Sequence, residues 1–478
     1  MKIAPELKTK ILQGGIYLTL RQLLGVVLSL VSVLIIARVL GPERYGVVAI
    51  ASSFLYFTFG TANLGLDMYL IRQPNLLEDG PEQILAFYNT VGVAFCVLLW
   101  FAIPTIGLWT GQSVVSQILR YLVPVVWLQM VSSVSIAMLE RELRFAQVGL
   151  IETLAQAANY LLAVPLVLLH WGYWGPIAGL GLQFTVLALL ASYYYSMPWR
   201  WRWRWQFLRS ALGYSLMYTG STWIWNLKSL TVPLFVSRLA GLQAVGIVSV
   251  AMRFADQLGI LRAVAYRLSI SGLAKLNGNP DLTRHAIGRG IVYQGLLVGP
   301  LYAVFSCCAA IVIPILFGGN WLPSIKIFPC IALAALINTI FNLHSSALYV
   351  AGHNRDVAKF HLLHIGLLWL ASWLLIPVLG LWGYPAAEMV ALISYVSLHY
   401  SLIRLCGNPN YWDGFWLLSA TAPALLAGPW LPPAFGLGAL AISYGVVFSL
   451  RSGLRRIPSE LYLAWRSRNS SLMSSDQV

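Results

Sequence analysis

The sequence predicts an all-α polytopic membrane protein. Its plan is two six-helix lobes as a parallel repeat plus a C-terminal helix pair, about fourteen transmembrane helices in all, or about twelve without the last pair. Three observations predict it. Of 478 residues, 59% are hydrophobic and only 10% are charged, with a mean hydropathy of +0.74. A soluble domain carries roughly 25% charged residues and could not cover this much apolar side chain. Apolar runs of about 20 residues, each able to cross roughly 30 Å of hydrocarbon, recur along the chain. The second half also resembles the first at a shift of 200 positions. A soluble enzyme, a disordered chain and a disulfide scaffold are excluded together.

Met1–Lys10 is polar and basic, and the apolar run from Ile11 is too long for a signal-peptide core, so the first helix is expected to be retained. The first lobe (1–197) carries helices near Ile11–Val39, Gly46–Leu70, Ile84–Trp109, Gln117–Leu139, Val148–His170 and Trp174–Met197. A Trp/Arg linker (198–210) leads to the second lobe (211–406), with helices near Ala211–Ser237, Ala244–Gly272, Ile291–Phe317, Ser324–Val350, His361–Leu379 and Trp382–Cys406. An additional pair (407–450), near Gly414–Leu431 and Phe435–Leu450, precedes a tail (451–478); Pro423, Pro429, Pro432 and Pro433 blur the ends of that pair. Cys96, Cys307, Cys308, Cys330 and Cys406 all lie in or beside apolar runs without a Cys-x-x-Cys pair, and read as buried, reduced and structural.

The net charge is +15. Most Lys and Arg fall on one side: the N-terminus, Arg141 and Arg144, the linker, Arg262–Arg289, Arg355 and Lys359, and Arg451–Arg468. Arg38, Arg44, Arg120, Arg238 and Lys326 fall on the other. The positive-inside rule therefore places both termini and the linker in the cytoplasm, and accounts for the charge without a nucleic-acid partner. The inside loop Ile71–Gln83 is acidic instead, with Glu78, Asp79 and Glu82.

Shifted by 200, Ser29/Ser229, Leu30/Leu230, Leu34/Leu234, Arg38/Arg238, Gly41/Gly241, Gly46/Gly246, Val48/Val248, Ala51/Ala251 and Phe54/Phe254 are identical without a gap. Arg-x-x-Gly-x-x-x-x-Gly thus falls at the same turn of each half. An offset of six helices keeps both copies in one orientation, so the repeat is parallel. The linker, Trp199-Arg200-Trp201-Arg202-Trp203-Arg204-Trp205, reads as an interfacial belt or as an anionic-lipid contact fixing the joint between lobes.

Ala37–Gly46, which reads Ala-Arg-Val-Leu-Gly-Pro-Glu-Arg-Tyr-Gly, resembles the end-of-first-helix motif of the polysaccharide transporters, the oligosaccharide-lipid flippases. Asn63–Leu66 and Leu316–Trp321 are similar to two further motifs of that family, and the resemblance covers about the first 400 residues. It implies two lobes around a central cavity and alternating access. The implied cargo is an undecaprenyl-pyrophosphate-linked oligosaccharide, moved from the cytoplasmic to the outer leaflet for surface or exopolysaccharide assembly. It also implies a bacterial plasma (inner) membrane location, with a glycan polymerase or other assembly proteins as partners. No cofactor is expected, and coupling would be to an H⁺ or Na⁺ gradient.

No lysine follows glycine, so there is no P-loop, and there is no His-Glu-x-x-His. Gly436-x-Gly438-x-x-Ala441 lies in an apolar span and reads as helix packing. His361 and His364 share a helix face but lack a third ligand, so no metal is expected. The informative residues are charges at membrane depth, each costing roughly 2.5–3.5 kcal/mol at a helix centre. Arg21 and Arg253 fall near the midplane, and Lys228 in the outer half of its helix. A cavity suits them better than lipid, and an arginine fork matches a pyrophosphate. Arg21, Arg253 and Lys228 are therefore the expected pyrophosphate ligands. Arg253 and Asp256, at i and i+3, could instead neutralise each other. Asp67, Asp256 and Glu388 are the acids available for ion coupling, with nothing to rank them. Trp223 and Trp225 suit sugar stacking or a lipid-facing surface. A drug/cation antiporter of the same superfamily would favour an acidic cavity. A membrane-embedded glycan polymerase or ligase would need a larger external loop.

Overall fold

The computed structural model describes the backbone of residues 5–197, 200–259, 269, 272–274, 276 and 278–455, and their side chains except 5–24, 26, 27, 217, 218 and 221. The described chain is helical, as predicted, and contains no strand among the described residues. In order come α1 (Pro5–Ala62), α2 (Leu66–Arg72), α3 (Gly80–Thr110), α4 (Ser113–Arg141), α5 (Phe145–Leu168), α6 (Trp174–Tyr194), α7 (Trp205–Asn226) and α8 (Ser237–Leu258). Then follow α9 (Pro280–Leu316), α10 (Leu322–Val350), α11 (Asn354–Leu379), α12 (Gly383–Ala391), α13 (Tyr395–Cys406), α14 (Trp412–Ala427), α15 (Pro433–Leu450) and the short α16 (Ser452–Arg455).

Among the described residues nine helical stretches are long and apolar enough to cross a membrane, or ten if Leu28–Ala62 and Leu66–Arg72, bent by 49°, count as one span. The helix count of the prediction is not confirmed. Neighbouring spans run together: Asn354–Cys406 is helical over 53 residues. At the other extreme, α14 stops at 16 residues, where Pro429 opens a 3-10 turn.

α1 shows how spans merge. It runs for 58 residues, but Gly41 inside it is not helical (φ 70°, ψ 172°) and Pro42 follows. Only glycine reaches that backbone region without strain, and proline is preset for the first position of the next helical arm. The break therefore falls where the sequence places the turn between its first two spans. Gly241 in α8 repeats it (φ 84°, ψ 175°). Both copies of the Arg-x-x-Gly motif thus fold alike.

The chain packs as two compact units. The first comprises 1–250, 314–324 and 361–391; the second comprises 251–313, 325–360 and 392–478. In the first, α3 packs on α4, α5 on α6, and α1 on α4 and α5, around buried Ile50, Leu70, Tyr88, Ile118, Leu122 and Met130. In the second, Val292 of α9 packs with Leu417 and Ala420 of α14, Val447 of α15 and Leu454. Asp413 at the start of α14 accepts from Arg451 after α15 at 2.7 Å, which closes the helix pair. Large apolar side chains lie bare on the outer faces, Phe101 at 75%, Leu108 at 79% and Leu161 at 76% exposure. A soluble surface would not carry them, and lipid covers them without cost. Cys307 and Cys406 are buried, while Cys96, Cys308 and Cys330 are half-buried; all five are free thiols.

Part of the linker is held by protein. Arg202 pairs with Asp79 (3.5 Å) and Glu82 (3.4 Å), and Arg204 pairs with Asp79 (3.2 Å). The Arg204 backbone N–H donates to Gln83 Oε1 at 3.1 Å, and Trp203 lies against Phe87. Two guanidiniums assigned to lipid phosphates are thus held by the acidic loop at the start of α3, where carboxylates also suit the helix N-terminus. Trp201 and Trp205 stay exposed.

Candidate functional site

The site begins with a distorted stretch of helix in the first unit. Between α7 and α8 the backbone tightens to a 3-10 turn over Leu227–Leu230, then widens to a π turn over Val232–Val236. Pro233 supplies no backbone N–H, so regular α-helical bonding cannot pass through it. Thr231 is tied to α11 by the Trp369 indole N–H, which donates to its hydroxyl at 3.1 Å.

Lys228 sits in the 3-10 turn. Its Nζ donates to Glu388 Oε2 at 2.9 Å. The Tyr384 hydroxyl, one turn earlier on α12, donates to Glu388 Oε1 at 2.6 Å. Both carboxylate oxygens therefore accept a hydrogen bond, and the side chains of Lys228 and Glu388 are 23% and 7% exposed. The ammonium lies 5.5 Å from the Trp225 ring centroid. That indole packs on both His361 (4.8 Å) and His364 (5.3 Å) of α11. The result is an ion pair between a half-buried ammonium and a buried carboxylate, walled by an indole and two imidazoles. Breaking such a pair from one side costs several kcal/mol, because the remaining charge is left uncompensated in a medium of low dielectric.

The structure brings together Lys228, Glu388 and Trp225, which the sequence reading assigned to three separate roles. Lys228, expected as a pyrophosphate ligand, is the ion-pair partner of Glu388 here. Trp223 is half-buried two residues away on α7. Arg21 lies on α1, but its side chain is outside the described residues. Arg253 and Asp256 belong to the second unit, where Arg253 is half-buried and Asp256 exposed. Asp67 is half-buried in the first turn of α2, just past the bend after α1. Tyr384 is absent from the sequence analysis; it stands four residues before Glu388, one turn away on the same helix. His361 and His364 are ring partners of Trp225, and no metal-capable group of three His, Cys, Asp or Glu exists among the described residues.

A model of the family described as "Polysaccharide biosynthesis protein" matches residues 35–326, more than half of the chain. The chain belongs to this family. The chain is 25% identical over 342 residues to the succinoglycan biosynthesis transport protein ExoT of Rhizobium meliloti, covering 70% of this chain and 67% of that protein. It is 20% identical over 365 residues to a membrane protein in the cps region of Klebsiella pneumoniae, covering 75% of each. Among solved structures, the lipid II flippase MurJ in an inward closed conformation matches with a TM-score of 0.74 at 13% identity, covering 91% of this chain and 99% of that one. An inward-facing multidrug MATE transporter matches with a TM-score of 0.64 at 14% identity, covering 84% and 96%. The family member described here thus shares the polytopic fold of these two solved transporters.

Proposed function

We propose that this protein is a secondary flippase that moves a lipid-linked oligosaccharide from the cytoplasmic to the outer leaflet of a bacterial inner membrane by alternating access. Its cargo is a glycan on an undecaprenyl-pyrophosphate carrier destined for surface or exopolysaccharide assembly. The observation that carries this reading is the half-buried Lys228 ammonium, held by the Glu388 carboxylate beside an aromatic wall. An anionic headgroup can draw that ammonium away from Glu388, and Trp225 offers its face to a sugar ring. Glu388, once released, is the carboxylate left to take the coupling H⁺ or Na⁺. Arg21 and Arg253 are the further pyrophosphate ligands, Trp223 is a second stacking surface, and Asp67 and Asp256 are the other acids available for ion coupling. The family membership and the transport role named for ExoT support the same reading. A glycan polymerase would receive the cargo.

The test is surface glycan display in a flippase-deficient host, with membrane abundance measured in parallel. Lys228→Gln should abolish display. The double change Lys228→Gln/Glu388→Gln removes both charges and should restore abundance without restoring display. Recovery of display by the double change would reduce the pair to a structural tie and remove Lys228 as a ligand.

A further inference from the structure

The two copies of the Arg-x-x-Gly-x-x-x-x-Gly motif touch each other. A Cβ added to Gly46 would run into the Leu242 carbonyl oxygen and lie 3.2 Å from the Gly246 nitrogen. A Cβ added to Gly246 would run into the Pro42 carbonyl oxygen and lie 3.1 Å from the Pro42 Cα. Gly246 is the repeat equivalent of Gly46, and Leu242 that of Pro42. Each copy therefore offers its fourth-spaced glycine to the same position of the other. Reciprocal contact of this kind is the signature of a two-fold axis between equivalent surfaces. Glycine allows backbones to approach this closely within a membrane, where small residues drive helix association.

The arginines of the motif extend the contact. Arg38 Nη1 donates to the Ile315 and Leu316 carbonyls at 2.7 and 3.2 Å, the last turn of α9. Arg238 Nη1 lies 3.9 Å from where a Cβ of Gly111 would be, at the C-terminal end of α3. In the repeat, α3 and α9 are equivalent, starting at Gly80 and Pro280. Each arginine thus reaches the C-terminal end of the third helix of the other half, where cations suit the unpaired carbonyls. Trp109, one residue before the end of α3, donates its indole N–H to the Leu234 carbonyl at 2.9 Å. Tyr45 packs edge-on against Trp321, the residue that ends the turn after α9.

The geometry points to a self-complementary latch: the duplicated motif closes the face of the protein that carries the Gly41 and Gly241 turns, and transport requires the two copies to part. The inference rests on the alternating-access reading above, because a contact at one face has to open only in a carrier that exposes both faces in turn. Packing of backbone on backbone makes the closed state discrete. At its centre, between the glycines and the facing carbonyls, no long side chain is available to stretch.

Glu43 and Gln243 are equivalent positions, both exposed, each one residue from the contact. Spin labels on cysteines at these two positions, with single-cysteine versions as controls, report the separation of the copies. Gly46→Ala and Gly246→Ala should each shift the distance distribution to longer values by similar amounts. The double change should add little, because one lost half already opens the latch. Arg38→Gln, which leaves the glycine packing intact, should give a smaller shift in the same direction and tests the latch if an alanine variant fails to fold. An unchanged distribution in Arg38→Gln and in whichever alanine variants fold would overturn the proposal. In cells, a cleavable bis-maleimide bridge between the two cysteines should stop glycan display, and cleavage should restore it. Display at the unbridged rate with the bridge in place would also overturn the latch. If the unbridged wild type fails to support display at all, the flippase reading falls, while the distance measurements still decide the latch.

Discussion

Glu388 is held from two directions, by an ammonium on one oxygen and a phenol on the other. Removing the phenol in Tyr384→Phe leaves a buried carboxylate one donor short, at a cost of about 1.5–3 kcal/mol. The expected readout is a lower unfolding temperature of the purified protein in detergent, and an unchanged temperature would mean that Tyr384 does not hold the carboxylate. Lys228→Arg keeps the charge but replaces a compact ammonium with a broad planar fork between Trp225 and Glu388, so display should fall well below wild type while abundance is retained. Lys228 and Glu388 are each legible in the sequence as charges too costly to face lipid. Their pairing is not. They lie 160 positions apart in the chain, and the contact depends on a helix distortion that no periodicity announces. The i, i+4 relation of Tyr384 to Glu388 is local and was readable, but a lone tyrosine in an apolar run carries no signal until its partner is known to be buried.

At the scale of the element, the turns of the repeat are the most legible feature, because a glycine at the end of an apolar run, followed by proline in the first copy and by leucine in the second, marks a break in the helix. Gly41 and Gly241 hold φ values of 70° and 84° with extended ψ, a region that costs other residues about 1–3 kcal/mol. Gly41→Ala and Gly241→Ala should therefore lower membrane abundance to similar degrees; loss at only one site would argue that the copies are not energetically equivalent. The 3-10 and π turns around Pro233 were not legible, since proline within membrane helices can kink, bulge or be absorbed by neighbours. Pro233→Ala restores the missing N–H and favours a regular helix. That should move Lys228 off Glu388 and reduce display without reducing abundance.

For the whole molecule, the class follows from composition alone, whereas the number of crossings does not, because apolar runs merge across kinks and one C-terminal helix stops short. Orientation rests on charge. Cysteines introduced at 111–116 should label from outside in intact cells, and cysteines at 201–205 should not; the reverse pattern would invert the assignment. The linker carries a second prediction. Asp79→Asn with Glu82→Gln releases Arg202 and Arg204, so a cysteine at Trp201 should label faster from the inside in opened vesicles. The acidic loop stands out in the sequence as an exception to the charge bias, yet its partner could not be read there, because the linker joins it only through tertiary folding.

The crossed contact of the glycine motifs also limits how the gene can vary. Pro42 faces Gly246, and Leu242 faces Gly46, so a bulkier residue at one position must be answered in the other half of the chain and not four residues away in its own helix. Among related sequences, substitutions should travel in the pairs 42 with 246 and 242 with 46.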